Sequence, residues 1–177
     1  METTKWALDP NHSEIQFKVK HLLISNVSGA FKQFTADIET EGEDFSTAKV
    51  NFTAEMSSIS TNNEMRDAHL KAADFFDAEK HPQLIFKGEK LEKTEGDNYK
   101  AHGNLTIKGI TKPVVLDVEL GGITPDPWGN TRAGFSLAGK INRKDFEISV
   151  ETGSMLGEEV AISAEVQFVK QAELVLA

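Results

Sequence analysis

The sequence predicts an all-β fold: an antiparallel barrel of roughly eight strands with one short helix inserted near residues 62–72. Three observations predict it. Apolar and polar residues alternate with a period of two along most of the chain, which is the pattern of strands buried on one face. Short segments rich in Gly, Asn, Asp and Glu separate these runs. The rhythm breaks once, between Thr61 and Phe86, where signals for a helix start appear. A β-sandwich is the competing architecture.

Taken in order, Ile15, Phe17, Val19 and His21 share one parity, and Glu14, Gln16, Lys18 and Lys20 the other. Phe31 is odd whereas Phe34, Ala36 and Ile38 are even, so a bulge or bend is expected between Gly29 and Glu39. Val50, Phe52, Ala54 and Met56 resume the alternation. Thr61-Asn62-Asn63-Glu64 has the spacing of a capping box, with Thr61 as the expected cap. A helix continuing from it would place Met65, Ala68, His69, Ala72 and Phe76 on one stripe and pair Asp67 with Lys71. Further strands follow at Tyr99 to Ile107, Val114 to Leu120, Phe135 to Ile141 and Val160 to Phe168. Glu95-Gly96-Asp97-Asn98, Lys108-Gly109 and Asp126-Pro127-Trp128-Gly129-Asn130 have the composition of hairpin turns.

A chain of 177 residues with 39% hydrophobic content suits one domain with its own core, spanning residues 1–177. Its net charge of -9 disfavours nucleic acid, which needs a clustered excess of Lys and Arg. The absence of cysteine removes disulfides, thiolate chemistry and Cys-based zinc sites. No basic segment followed by an apolar run opens the chain, and no apolar stretch is long enough to span a bilayer. The expectation is a protein that is not integral to a membrane and is cytoplasmic as written, or periplasmic if a leader has been removed.

Several segments, in order, resemble the YceI-like family of lipocalin-like, polyisoprenoid-binding proteins. They are Trp6 with Asp9-Pro10-Asn11-His12-Ser13, Phe17-Lys18-Val19-Lys20-His21-Leu22, Arg66-Asp67-Ala68-His69-Leu70 with Phe75-Phe76-Asp77, Gly103-Asn104-Leu105-Thr106-Ile107-Lys108-Gly109, and Arg143-Lys144-Asp145-Phe146. The resemblance covers nearly the whole chain. It implies an extended lipocalin-like barrel with an apolar tunnel for a long isoprenoid chain, often in a homodimer. Glu147 stands where the family pattern has Gly, which puts the local loop conformation in question.

The candidate ligand-binding residues are Phe17, Val19, His21, Phe34, Phe52, Arg66, His69, Phe76, Phe86, Leu105, Leu116, Phe135, Ile162 and Val166. His21 and His69 both fall on faces expected to be apolar. With Arg66 they can hydrogen-bond a ligand head such as a pyrophosphate or quinone carbonyl, or each can be a core histidine satisfied by its neighbours. Arg66 with Asp67, and Arg143 with Asp145, can equally be structural ion pairs. Phe75 and Phe76 either line a tunnel or plug one end of the barrel. A metal site using Asp67 or Asp77 lacks any His-x-x-x-His spacing to support it, and no metal or cofactor is expected. No phosphate loop or Gly-x-Ser-x-Gly elbow is present.

These features favour non-enzymatic carriage of a long-chain isoprenoid or similar amphiphile, such as a polyprenyl phosphate or quinone. A filled barrel serving as a structural or interaction module is the alternative. An enzyme acting on a lipid through His21 or His69 is the third reading.

Overall fold

The computed structural model describes residues 2–22, 24–148 and 156–172. Its strands are β1 (Thr3–Leu8), β2 (Glu14–His21), β3 (Ser25–Phe31), β4 (Phe34–Glu41), β5 (Asp44–Glu55), β6 (Ile59–Ser60), β7 (Gln83–Lys93), β8 (Asn98–Ile107), β9 (Ile110–Pro125), β10 (Thr131–Asn142) and β11 (Leu156–Lys170). All join one antiparallel sheet that closes on itself, because β11 pairs with both β1 and β2.

The eleven segments form an eight-stranded ring. Trp6 and Leu8 of β1 oppose Lys170 and Phe168, and Glu14 to His21 of β2 continue down the same edge of β11 to Leu156. β1 and β2 therefore act as one strand, interrupted by a 3-10 turn at Pro10–His12. β3 and β4 form a second broken strand, since β3 pairs with β2 while β4 pairs with β1. β5 and β6 form a third, divided by a 3-10 turn at Met56–Ser58. The bend expected from the parity change between Phe31 and Phe34 is the break at Lys32-Gln33. It is held by Lys32 N–H donating to the Ser58 carbonyl at 3.1 Å and Glu55 N–H donating to the Gln33 carbonyl at 2.9 Å.

The two ends of the ring differ. At the end reached by the β4–β5, β7–β8 and β9–β10 turns, the inward side chains meet and fill the lumen. Trp6 is fully buried, its Nε1–H donates to Thr40 Oγ1 at 3.0 Å, and its ring lies 5.0 Å from that of Phe45. Phe45 packs edge-on to Phe135 at 4.9 Å, and Phe135 to Phe168 at 6.0 Å. Edge-to-face geometry is the favourable arrangement for such rings.

On the outer wall near this closed end, Arg132 bridges two carboxylates, Asp9 and Asp126, each at 2.7 Å. Asp9 also takes His12 Nδ1 at 2.8 Å, and its carboxyl is held down to about 2, first by Arg132 and then by His12. This network fastens the break between β1 and β2 to the start of β10.

Three inward glycines thin the barrel wall. A Cβ at Gly29 would collide with the ring of Phe17, one at Gly103 with Phe86 and the Lys87 carbonyl, and one at Gly139 with Leu116. Each large side chain reaches over a glycine of the adjacent strand.

The helix α1 (Glu64–Leu70) starts later than its sequence signal suggests. Asn63, not Thr61, is the cap: its side-chain oxygen accepts from Arg66 N–H at 3.0 Å. Both residue types suit a cap, and Thr61 is engaged elsewhere. The expected apolar stripe is not buried either. Met65 is 85% exposed, and Ala68, His69 and Ala72 are exposed as well. Seven residues make fewer than two turns, and of that stripe Phe76 alone turns inward, joined by Leu70 and Phe75. Asp67 turns toward Thr61 rather than pairing with Lys71, accepting from both its N–H and its hydroxyl.

Candidate functional site

Above the aromatic plug the barrel encloses a cavity of about 540 Å³, within the range typical of small-molecule sites. Strand alternation builds its walls. Phe17, Val19, Phe52, Phe86, Leu105, Leu116, Phe135, Ile162 and Val166 all line it, as the sequence parity predicts. Phe34 does not. The break at Lys32-Gln33 leaves its ring at the lip of a separate hollow of about 280 Å³ beside Pro10, Gln33 and Thr53, although the ring stays 6.1 Å from that of Phe52.

The segment between β6 and β7 covers the opposite end. Thr61, Arg66, His69, Leu70, Phe75 and Phe76 from this insert border the cavity, together with His21 at the end of β2. The insert is locked at its root. Arg66 donates from Nε to Thr61 Oγ1 and from Nη2 to the Thr61 carbonyl, both at 2.7 Å, while Thr61 donates its hydroxyl to Asp67 at 2.6 Å. Two of the three guanidinium nitrogens of Arg66 are thereby spent on the root of the insert. The pairing is with Thr61, which is buried, rather than directly with Asp67.

His69 is at the rim rather than on an apolar stripe. Its Nε2 lies 2.9 Å from Asp74 Oδ2, its ring stands edge-on to Phe75 at 4.8 Å, and the imidazole holds the Asp74 carboxyl below the usual range. His21 is half-buried on the inward parity of β2, and its ring makes no hydrogen bond among the described residues.

Arg143 is the lining residue that the sequence reading placed elsewhere. It is 2% exposed, and its guanidinium donates from Nε to the Gly157 carbonyl at 2.7 Å, from Nη1 to that of Ile148 at 3.0 Å and from Nη2 to that of Leu156 at 2.9 Å. Burial pulls this group below its ordinary value, with Glu158 acting in the opposite direction. Backbone carbonyls replace the expected contact with Asp145. The signal was in the sequence, since Arg143 continues the inward parity of Phe135, Leu137, Gly139 and Ile141.

The loop after it resolves the question raised by Glu147. That residue adopts the left-handed conformation, φ 54° and ψ 33°, which glycine accepts without strain. Its carbonyl accepts from Lys108 Nζ at 2.9 Å, joining two loops of the mouth.

Among the described residues, no group of three or more metal-ligating side chains gathers, and no helix is long and apolar enough to cross a membrane. The site is therefore an apolar chamber with a plugged floor, a polar rim and a short insert across its mouth.

Comparison with known proteins places this architecture. The YceI-like domain model matches residues 6–168. The chain is 40% identical over 160 residues to protein YceI of Salmonella newport, covering 90% of this chain and 83% of the relative. The crystal structure of the Campylobacter jejuni YCEI protein superposes with a TM-score of 0.79 at 39% identity, covering 87% of this chain and 90% of that one. A polyisoprenoid binding domain from Saccharophagus degradans, implicated in plant cell wall breakdown, shares the fold with a TM-score of 0.76 at 12% identity, covering 94% and 98%. With its lipocalin-like barrel and a match spanning nearly its whole length, the chain belongs to the YceI-like family.

Proposed function

We propose that the protein binds a long-chain isoprenoid lipid, such as a polyprenyl phosphate or quinone, and carries or sequesters it without chemical change. The observation that carries this reading is the cavity of about 540 Å³, walled by inward aliphatic and aromatic side chains and stopped at one end by the Trp6, Phe45, Phe135 and Phe168 cluster. The structural neighbour described as a polyisoprenoid binding domain supports the choice of ligand.

Burial supplies the affinity. At about 0.8 kcal/mol per buried carbon, each isoprene unit contributes roughly 4 kcal/mol. A few units exceed the 4–15 kcal/mol or so that association costs. Carriage rather than catalysis is favoured because Thr61, Arg66, His69 and Arg143 already spend hydrogen bonds on holding the mouth together. A filled structural barrel would not leave a chamber of this volume.

Solvent extraction of the purified protein followed by mass spectrometry should recover an isoprenoid. Loading delipidated protein with one at about a hundred times its dissociation constant adds about 2.7 kcal/mol, a rise of roughly 5–10 °C in melting temperature. No extracted lipid and no shift would overturn the proposal.

A further inference from the structure

We infer that His21 selects the polar end of the ligand, and that it selects a lipid ending in an oxygen able to accept a hydrogen bond. This rests on the lipid carriage proposed above and names the group that reads the head.

Elimination among the described polar residues bordering the cavity leads there. Thr61 is bonded to Arg66 and to Asp67, Arg66 spends Nε and Nη2 on Thr61, and His69 is engaged by Asp74. Arg143 spends Nε, Nη1 and Nη2 on backbone carbonyls. Gln16 lies on the exposed parity of β2. Only His21 combines the inward parity, a half-buried ring and no hydrogen bond among the described residues.

Position makes that free ring consequential. His21 is the last residue of β2, opposite Leu156 and Ser25, so it stands where an apolar chain filling the barrel ends. A chain crossing the mouth strips water from the imidazole, and a donor left unmet there is a cost. A ligand oxygen removes that cost by accepting the ring N–H.

The surroundings choose an oxygen over an ammonium. Among the described residues no carboxylate lines the cavity, whereas Arg66 and Arg143 both do. A phosphate ester and a quinone carbonyl offer the same acceptor chemistry, and a cationic head does not.

Affinities of delipidated wild type, His21→Phe and His21→Gln would be compared for geranylgeranyl phosphate, a quinone with a geranylgeranyl tail, geranylgeranylamine and the headless hydrocarbon of the same chain. Wild type should bind at least one oxygen-headed lipid about tenfold more tightly than the hydrocarbon and the amine no better than the hydrocarbon. His21→Phe should bring the oxygen-headed lipids within about twofold of the hydrocarbon, whose own affinity stays put. His21→Gln, which keeps a donor and is the more conservative change for folding, should retain part of the preference.

The oxygen-headed ligand that loses more in His21→Phe identifies the natural head class. A preference that survives in His21→Phe, or its absence in wild type, overturns the inference. Failure of wild type to bind even the hydrocarbon overturns the carriage reading instead.

Discussion

The two ends of the barrel are built on opposite rules. At the plugged end, the left-handed backbone positions are glycines: Gly42, Gly96 and Gly129. At the mouth, Leu22, Asn62, Asp77, Lys108 and Glu147 adopt the same conformation without being glycine, with Gly109 the glycine among them. The plugged end buries the rings of Trp6, Phe45, Phe135 and Phe168 and leaves Trp128 of its β9–β10 turn in solvent, while the mouth leaves Leu22, Ile24 and Met65 there. One end keeps its left-handed backbone on glycine. The other keeps unfavourable backbone and exposed apolar surface beside the cavity, which is where proteins retain strain when function needs the geometry.

The hardest test of this contrast is Trp6→Ala. Removing a fully buried indole and its bond to Thr40 should cost about 3–5 kcal/mol, read from urea denaturation. The molecules that remain folded should keep their lipid affinity, because Trp6 does not border the cavity. Loss of affinity in the folded fraction would show that plug and chamber are not separate units.

A smaller effect is expected from acid. Asp9 is held at about 2, first by Arg132, against an ordinary carboxylate value near 4. A lowered carboxylate stabilises the fold above its unfolded value and loses that contribution as pH falls toward its folded one. Stability should therefore drop between about pH 4 and pH 2, by at most about 2 kcal/mol after solvent screening. Asp9→Asn should flatten the Asp9 part of that slope in melting curves recorded across this window.

The smallest effect lies at the mouth. Glu147→Gly should stabilise the protein by about 0.5–1 kcal/mol by relieving left-handed strain, visible as a rise of a few degrees in melting temperature. A destabilised Glu147→Gly protein would break the claim that the mouth carries strain at this residue.

The strands were legible because period-two alternation is written in single residues. Ile15 to His21 and Val160 to Phe168 read directly as β2 and β11. The breaks were less legible: Phe34 keeps inward parity yet sits at the lip of another hollow, since a strand interruption re-aims a ring without changing the pattern. The helix start was ambiguous because Thr61 and Asn63 are both good caps, and only the tertiary demand on Thr61 from Arg66 and Asp67 decides between them. Arg143 was misassigned because its neighbour in sequence, Asp145, offered a simpler partner than the backbone carbonyls of Ile148, Leu156 and Gly157.

The glycines beneath Phe17, Phe86 and Leu116 have a consequence for how such barrels diversify. An added methyl at Gly29 or Gly139 would push Phe17 or Leu116 toward the lumen and narrow the bore from behind, whereas one at Gly103 would also displace the backbone at the Lys87 carbonyl. The girth of an admissible ligand is therefore governed in part by atoms the wall omits. An inventory of contact residues would overlook Gly29 and Gly139, yet they are the gauge by which one scaffold can be retuned from slender to bulky cargo.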